Sequence, residues 1–269
     1  MTTAATFPMR TVALQALGRD LNLEYYEIAP ERTEAPLVVF LHEGLGSATM
    51  WRDWPAQLCE AAGCRGLVFS RYGYGGSTPR PADEKWGVEY MHDQAREALP
   101  AFLDALGLQH ERPVFYGHSD GGSIALLYAA MYPERVRALM LAAPHIFVED
   151  VTVASIAQAK QAYLQTDLPA RLGRYHQDAD LTFWAWNDIW LNPAFKAWNI
   201  ESELSKIHCP ILAIQGADDE YGSLEQIRGI QRIATQTQLC IIDRCRHSPH
   251  KDQPEILNTR IVEFLQELA

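Results

Sequence analysis

The sequence predicts an α/β fold, in which a mostly parallel, eight-stranded twisted sheet is flanked by helices and carries a helical cap inserted after the sixth strand. Short apolar runs alternate with longer helical patterns along most of the chain, which is typical of a parallel sheet covered on both faces. Residues 145–207 break this alternation, because they have helical patterns, many aromatic side chains and no clear strand. We therefore expect residues 1–144 and 208–269 to form the core domain and residues 145–207 to form the cap.

Eight segments have the composition of strands. The first two, 11–17 and 21–28, predict an antiparallel pair, since the second alternates apolar and polar residues. Segment 36–42 is continuously apolar and rich in β-branched residues, as expected of a strand buried on both faces. The other strand segments are 66–70, 113–117, 136–143, 210–215 and 239–243.

Helices are predicted over 51–62, 88–106, 121–131, 224–234 and 254–268. Pro254 suits the first turn of the last helix, where its missing N–H is not needed. Trp51 and Trp54 lie three residues apart in the first helix, so they are predicted to share a face. Core packing is the default for this pair, and lining of a pocket is the alternative.

The predicted cap concentrates tryptophan. It holds Trp184, Trp186, Trp190 and Trp198, which are four of the seven tryptophans in the chain. Apolar pockets for small ligands form where one layer of a protein covers another, so some of these rings should face the cavity under the cap. Trp184, Trp186 and Trp190 are the candidate substrate-binding residues, and the alternative is that they only pack the cap onto the core.

Composition excludes several classes of partner. The formal charge of −11 argues against nucleic acid, which needs clustered Lys and Arg. No apolar run approaches the roughly 18 residues of a membrane span, and the first ten residues do not resemble a secretory signal. The five cysteines contain no Cys-x-x-Cys pair, which favours a reducing compartment over a disulfide framework. We expect a cytoplasmic protein that acts on a small molecule, without nucleic-acid or membrane partners; the oligomeric state stays open.

A strand-like segment, 114–116, leads directly into Gly-His-Ser-Asp-Gly at 117–121, and a helical pattern follows. In such a turn the serine is exposed at a sharp corner, and the glycines on either side let strand and helix approach. The start of the following helix supplies N–H groups where a negatively charged oxygen would form. Ser119 is therefore predicted to be a nucleophile, and the alternative is a serine that only caps the helix.

A serine nucleophile needs a base to remove its proton and a third group to orient that base. Asp218 and Asp219 follow the strand segment 210–215, and His247 and His250 follow the segment 239–243. Both pairs should lie at the end of the sheet where the serine turn lies. The chain order Ser, Asp, His is the one expected when the serine occupies a strand-to-helix turn.

Four separated motifs together resemble those of the α/β-hydrolase fold family over nearly the whole chain. They are His-Glu-Gly-Leu-Gly at 42–46, Arg-Tyr-Gly-Tyr-Gly-Gly-Ser at 71–77, the serine turn, and the pair formed by 216–219 and 246–254. The resemblance implies that Asp219, rather than Asp218, is the acid, that His247 is the base, and that His250 has a structural role. Arg246 stands where the family usually has glycine.

The predicted oxyanion donors are the backbone N–H groups of Asp120, next to the nucleophile, and, by the resemblance, of Gly44. Glu43 stands where the family usually has glycine. Glu43 and Asp120 could make the pocket mouth acidic and disfavour multiply anionic substrates; the alternative is that Glu43 is a solvated or paired carboxylate. Arg71, at a strand end facing the same crevice, could hold an acid or a substrate carboxylate. Glu43 and Arg71 are therefore further candidate substrate-binding residues.

The resemblance implies a serine hydrolase that cleaves a carboxylic ester or lactone of a small, apolar or aromatic substrate through an acyl-enzyme. Its lidded esterases, enol-lactonases and carbon–carbon bond hydrolases share one triad, so hydrolysis of a carbon–carbon bond in a ring-cleavage product is the alternative. A non-catalytic receptor on the same fold is disfavoured because no triad member is missing. A metal-dependent enzyme is disfavoured because the sequence has no His-x-x-x-His pair and no Cys-rich ligand set. No metal and no cofactor are expected.

Overall fold

The computed structural model describes residues 7–268, and its central feature is one sheet. The strands are β1 (Arg10–Ala16), β2 (Arg19–Ile28), β3 (Leu37–Leu41), β4 (Arg65–Phe69), β5 (Val114–His118), β6 (Ala138–Ala142), β7 (Ile211–Gly216) and β8 (Thr237–Ile242). Their order is β1-β2-β4-β3-β5-β6-β7-β8. The pairs β1–β2 and β2–β4 are antiparallel and all the others are parallel. The predicted eight-stranded, mostly parallel sheet is confirmed.

Helices cover both faces of the sheet. They are α1 (Trp54–Ala62), α2 (Tyr90–Asp93), α3 (Leu99–Ala105), α4 (Asp120–Met131), α5 (Asp150–Gln165), α6 (Leu168–Leu172), α7 (Ala179–Trp190), α8 (Glu201–Leu204), α9 (Glu225–Ile233), α10 (Pro249–Asp252) and α11 (Pro254–Glu267). One turn of π-helix, Gln94–Ala98, joins α2 to α3. Among these residues no helix has both the length and the apolar character that a membrane crossing requires.

Two apolar layers hold the sheet between the helices, and β3 shows how they arise. All five residues of this strand are buried, because successive side chains point to opposite faces and both faces are covered. Val38 and Phe40 lie in the layer with α1 and α11. Val39 and Leu41 lie in the layer with α3, α4, α9 and the cap. The continuous apolar composition of the central strands follows from this double burial.

The prediction of one continuous helix over 51–62 is wrong, because the segment consists of a 3₁₀ turn and a separate α-helix. A 3₁₀ turn, Ala48–Trp51, is followed by Arg52 at φ 54°, and α1 begins only at Trp54. Pro55 lies in the first turn of α1, where it has no N–H to continue a helix from the preceding turn. Trp51 and Trp54 therefore do not share a face of one helix, although their rings stack with centroids 5.6 Å apart.

The segment between β6 and β7 contains α5 to α8 and a 3₁₀ turn, Pro193–Ala197, and it covers the ends of the central strands. His176 joins it to the core, because its Nδ1 accepts a hydrogen bond from Gly75 N–H and its Nε2 donates to Leu45 O, each over 3.0 Å. Thr182 Oγ1 on α7 donates to Gly73 O over 2.9 Å. These bonds hold the cap segment onto the loops that follow β3 and β4.

Candidate active site

Ser119 lies between the end of β5 and the start of α4, in a backbone conformation that is unusual for a residue with a side chain. Its φ is 53°, and its N–H donates to Ala142 O at the end of β6 over 2.9 Å. A Cβ atom on Gly117 would lie 2.4 Å from Gly121 O, and one on Gly121 would lie 2.2 Å from Leu41 O. Both glycines are therefore required for the turn that presents the serine.

His247 and Asp219 form a close pair. His247 Nδ1 donates to Asp219 Oδ1 over 2.9 Å, and Tyr221 N–H donates to the same oxygen over 2.8 Å. Burial would raise the pKa of Asp219, but the hydrogen bond from His247 and the nearby positive potential lower it, so this carboxyl is ionised. Asp218, in contrast, is exposed. The structure thus places Asp219, and not Asp218, beside His247.

The two loops that carry this pair approach closely because Gly216 has no side chain. A Cβ atom there would lie 2.1 Å from Cys245 O. His118, the neighbour of Ser119, holds the loop from the other side, since its Nε2 donates to His247 O over 2.7 Å. Ser119 and His247 line the same cavity. No hydrogen bond joins their side chains within residues 7–268, as is common in unliganded sites, where such bonds often form only with substrate.

The predicted donors Gly44 and Asp120 also line this cavity. Asp120 is the first residue of α4, so its N–H has no acceptor within the helix and is available to a ligand. Gly44 lies directly under the cap, because a Cβ atom on it would be 2.1 Å from Nε1 of Trp186 on α7. The cap and the donor loop are therefore in contact at Gly44.

The loop at 42–46, which we call the oxyanion loop after the role predicted for Gly44, is fixed by buried hydrogen bonds. His42 Nε2 accepts from Arg71 N–H over 3.0 Å, so the ring proton is on Nδ1, which donates to Glu43 O over 2.8 Å. Burial, together with the charge of Arg71, holds the pKa of His42 well below its ordinary value, which keeps the ring neutral. Arg71 Nη2 donates to the same carbonyl over 2.9 Å. These contacts set the direction of the peptide that precedes Gly44.

Arg71 is thus placed behind the oxyanion loop and is not among the residues that line the cavity. It is 2% exposed, and its guanidinium stacks on Tyr74 at 4.5 Å. The candidate Trp184 is also absent from the lining. It packs on Tyr163 and Phe183 of the cap, with Lys160 over its ring.

The carboxylates of Glu43 and Asp120 both have polar neighbours. Glu43 Oε2 lies 3.6 Å from His118 Nδ1, and its Oε1 lies 3.9 Å from Lys251 Nζ. Although burial acts in the other direction, these neighbours hold the pKa of Glu43 well below its ordinary value. Tyr90 OH donates to Asp120 Oδ2 over 2.7 Å, and burial raises the pKa of Asp120. The structure therefore does not show the free acidic mouth considered from the sequence.

The space lined by Ser119 and His247, which we call the catalytic cavity after its predicted role, has a volume of about 120 Å³. Its walls are largely apolar and come from both the cap and the core. It is lined by Glu43, Gly44, Leu45, Ser119, Asp120, His145, Thr152, Ile156, Trp186, Trp190, Tyr221 and His247. Of the three candidate tryptophans, Trp186 and Trp190 face the cavity.

His145 is a cavity residue that the sequence analysis did not select. It is 2% exposed, and its ring centroid lies 5.0 Å from that of Trp190 and 6.0 Å from that of His247. Its backbone is held by Ser123 Oγ, which donates to His145 O over 2.6 Å. Burial, reinforced by the charge of His247, lowers the pKa of His145 to about 3. The signal that could have found it is its position just after β6, at the same end of the sheet as the serine.

Comparison with known proteins agrees with this architecture. A family model described as the alpha/beta hydrolase fold matches residues 36–179, which is more than half of the chain.

 The chain is 24% identical over 264 residues to the 2-hydroxy-6-oxo-6-phenylhexa-2,4-dienoate hydrolase of Comamonas testosteroni, covering 88% of this chain and 90% of that protein. It is 25% identical over 290 residues to human epoxide hydrolase 4, covering 93% and 77%.

A solved structure shows the same fold over nearly the whole chain. The thermophilic esterase from Thermogutta terrifontis superposes with a TM-score of 0.73 at 19% identity, covering 97% of this chain and 99% of that one. Identity at this level speaks for the fold alone. Together with the match of the family model to 36–179, the sheet order and the serine turn, it identifies the chain as a member of the alpha/beta hydrolase fold family.

Proposed function

We propose that this hydrolase cleaves a carboxylic ester or lactone through an acyl-enzyme formed on Ser119. The observation that carries the proposal is the convergence of four groups on one small cavity. These are Ser119, the His247–Asp219 pair, and the backbone donors Gly44 and Asp120. A nucleophile, a base with its orienting acid and two N–H donors are what acyl transfer needs.

In the proposed mechanism Ser119 Oγ attacks the substrate carbonyl and passes its proton to His247 Nε2. Asp219 holds the other ring nitrogen, so the neutral imidazole has its lone pair on Nε2 and the imidazolium is stabilised once it forms. The N–H groups of Gly44 and Asp120 donate to the tetrahedral oxyanion. His247 then gives the proton to the leaving oxygen, and a water molecule attacks the acyl-enzyme by the same route.

The size of the catalytic cavity supports a small acyl group. Its volume of about 120 Å³ is somewhat below the roughly 150 Å³ of an apolar cavity that takes up benzene. Ile156, Trp186 and Trp190 contribute apolar wall, which favours an alkyl or aryl group over a charged one. We therefore propose acyl groups between acetyl and butyryl in size.

Active-site labelling and a substrate series test this function. The wild type should react with a fluorophosphonate probe and hydrolyse p-nitrophenyl acetate and butyrate faster than the octanoate and laurate. Ser119→Ala should lose both the labelling and the hydrolysis while keeping the melting temperature. Ser205→Ala, which removes an exposed serine, is the matched control. Labelling that persists in Ser119→Ala would refute the assignment of the nucleophile.

A second candidate is hydrolysis of a carbon–carbon bond, which the similarity to the Comamonas testosteroni enzyme favours. The same triad would serve it, and the neutral imidazole of His145 adds a hydrogen-bonding group to the cavity. Loss of the absorbance of 2-hydroxy-6-oxo-6-phenylhexa-2,4-dienoate on mixing with the enzyme, at a rate above that for p-nitrophenyl butyrate, would select this candidate over the ester hydrolase.

A further inference from the structure

A second concave surface lies where the cap meets the core. It has a volume of about 610 Å³ and is formed by the turn before α1, by the cap around α6 and by α10. We call it the cap–core groove and define it by Trp51, Arg52, Trp54, Arg171, Arg174 and Lys251, which all line it. None of these residues lines the catalytic cavity.

The groove is positively charged in a protein whose formal charge is −11. Arg52, Arg171, Arg174 and Lys251 line it, and Asp53 is the one acidic residue among the lining residues. Asp53 Oδ2 already accepts a hydrogen bond from Gln57 over 3.0 Å. The groove therefore has a surplus of positive charge that would attract an anion.

Its three arginines are exposed and have no acidic partner. Within residues 7–268 the side chains of Arg52, Arg171 and Arg174 make neither a hydrogen bond nor an ion pair. Several exposed arginines elsewhere are paired, as Arg10 is with Glu27 and Arg232 is with Glu225. Guanidinium groups match the planar or tetrahedral oxygens of carboxylate and phosphate, so these three are suited to bind such a group.

The groove also has an apolar component. Met50, Leu168 and Tyr175 line it and are partly exposed, whereas the stacked rings of Trp51 and Trp54 are only 3% and 5% exposed. An anion bound here would therefore be attached to an organic body rather than be a free inorganic ion, because the partly exposed side chains gain free energy only by covering apolar surface.

The groove adjoins the catalytic cavity through Glu43. Lys251 lines the groove, and its Nζ lies 3.9 Å from Oε1 of Glu43, which lines the cavity. His250, also in the groove wall, has its ring centroid 5.1 Å from that of His118. His118 in turn holds the carbonyl of His247. The rim between the groove and the cavity is formed by Lys251 and Glu43, whose side chains are 49% and 18% exposed, so a ligand lying across this rim would extend from one space into the other.

We propose that the cap–core groove binds a carboxylate or phosphate on the leaving-group side of the substrate, while the catalytic cavity takes the small acyl group. This assignment rests on the proposed ester hydrolase function. It makes the natural substrate a small acyl ester of an acidic alcohol, in which a spacer separates the ester oxygen from the anionic group. The three arginines set the preference for charge, and Met50, Leu168 and Tyr175 contact the spacer.

Matched acetyl esters of ω-hydroxy acids test the proposal. Each carboxylate is compared with the amide of the same chain length, so that the two substrates differ only in charge. A phosphate-terminated member identifies which oxyanion is preferred. In the wild type kcat/KM should favour the anionic ester at one spacer length, and raising the ionic strength should reduce this preference, since the arginines are exposed. An equal kcat/KM for anion and amide at every spacer length would overturn the proposal.

Arg52→Gln/Arg171→Gln/Arg174→Gln should lower the ratio of kcat/KM for the anionic ester to that for the amide by about tenfold, as expected for three exposed charge contacts. The control is Lys85→Gln/Lys206→Gln/Arg228→Gln, which removes the same charge at exposed positions outside the groove. The control should leave the ratio as in the wild type. A ratio that falls equally in both variants would show an effect of net charge and would refute selection of the anionic ester by the groove arginines.

Binding separates this proposal from the proposed function. In Ser119→Ala, titration with ω-hydroxyoctanoate should change the tryptophan fluorescence and give a Kd about tenfold weaker once the three arginines are replaced. Arginine-dependent binding without any ester hydrolysis by the wild type would support anion binding in the groove and refute the proposed ester hydrolase function. Ester hydrolysis by the wild type, with the same Kd in Ser119→Ala whether or not the three arginines are replaced, would support the ester hydrolase function and refute anion binding in the groove.

Discussion

Replacing Gly44 by alanine tests how closely the cap fits the oxyanion loop. The new Cβ atom would lie 2.1 Å from Trp186 Nε1 and 2.3 Å from its Cδ1. Carbon and nitrogen atoms in contact are about 3.5 Å apart, so the loop or the ring must move by roughly 1.4 Å. Trp186 is 7% exposed and packs on Phe183, which limits how far the ring can retreat. We expect the loop to take much of the displacement.

A displacement of this size should be visible in catalysis. Misplacement by about 1 Å can cost about 10²-fold in rate, and loss of one oxyanion donor costs about 10²- to 10³-fold in kcat. Gly44→Ala should therefore lower kcat for p-nitrophenyl butyrate by about 10²-fold or more, with a smaller effect on KM. Gly87→Ala is the control, since a Cβ atom at Gly87 meets nothing within 4 Å.

A second substitution shows whether the contact with the cap is the cause. In Gly44→Ala/Trp186→Ala the obstructing ring is absent, so kcat should recover by at least about tenfold relative to Gly44→Ala. The single variant Trp186→Ala completes the cycle, and melting temperatures show that each variant is folded. A kcat for Gly44→Ala equal to that of the wild type, or no recovery in the double variant, would refute the fit between loop and cap described above.

Three further predictions concern the acid, the acyl pocket and a buried histidine. Asp219→Asn should lower kcat by about 10⁴-fold, because an amide can stabilise the wrong tautomer of the catalytic imidazole, whereas the exposed Asp218→Asn should match the wild type; equal losses in both would contradict the pairing. Ile156→Ala should shift the preferred acyl chain toward longer esters at a cost of about 2–5 kcal/mol in unfolding free energy, whereas Ile189→Ala, equally buried at 2% exposed but outside the cavity lining, should cost a similar amount without the shift. The pKa of His145 is lowered to about 3 in the folded protein, so on acidification the unfolded state binds a proton that the folded state does not, and the free energy of unfolding falls between pH 6.5 and 3. In His145→Gln the loss of unfolding free energy between pH 7 and pH 5 should be smaller than in the wild type by about 2 kcal/mol. Denaturant titrations at the two pH values measure this loss, and equal losses in the two proteins would contradict the prediction.

The strands could be predicted because their signal is local. A central strand buried on both faces must be apolar throughout, and segment 36–42 shows this directly in sequence; the observed strand is Leu37–Leu41. The break before α1 was not predictable in the same way. Its cause is the positive φ of Arg52, a conformation that arginine itself does not favour and that the surrounding structure imposes.

The spacing of the cap tryptophans in the sequence contains information on their orientation. Trp186 and Trp190 are four residues apart on α7, so they share a face of the helix and both line the cavity. Trp184 lies two residues before Trp186, on another side, and packs within the cap. The helical period therefore distinguishes the two tryptophans that line the cavity from Trp184, which does not. The roles of Ser119, Asp219 and His247 in catalysis stay predictions that the experiments above test.

The cap–core groove had no sequence signal at all. It is assembled from the turn before α1, from residues near α6 and from α10, which are far apart in the chain. Each arginine by itself is an ordinary exposed cation. Only the folded arrangement brings them together around one groove, and no local sequence pattern predicts such an arrangement.

The face of α7 that carries Trp186 and Trp190 allows substrate preference to change in evolution independently of the reaction. The candidate reacting groups lie on loops at the ends of core strands, whereas part of the wall of the cavity comes from Trp186 and Trp190 on a single helix of the cap. Substitutions on that face can alter which molecule is accepted without moving the serine, the imidazole or the carboxylate. Substrate preference could therefore change during evolution through substitutions on one face of α7, while the residues that carry the reaction stay the same.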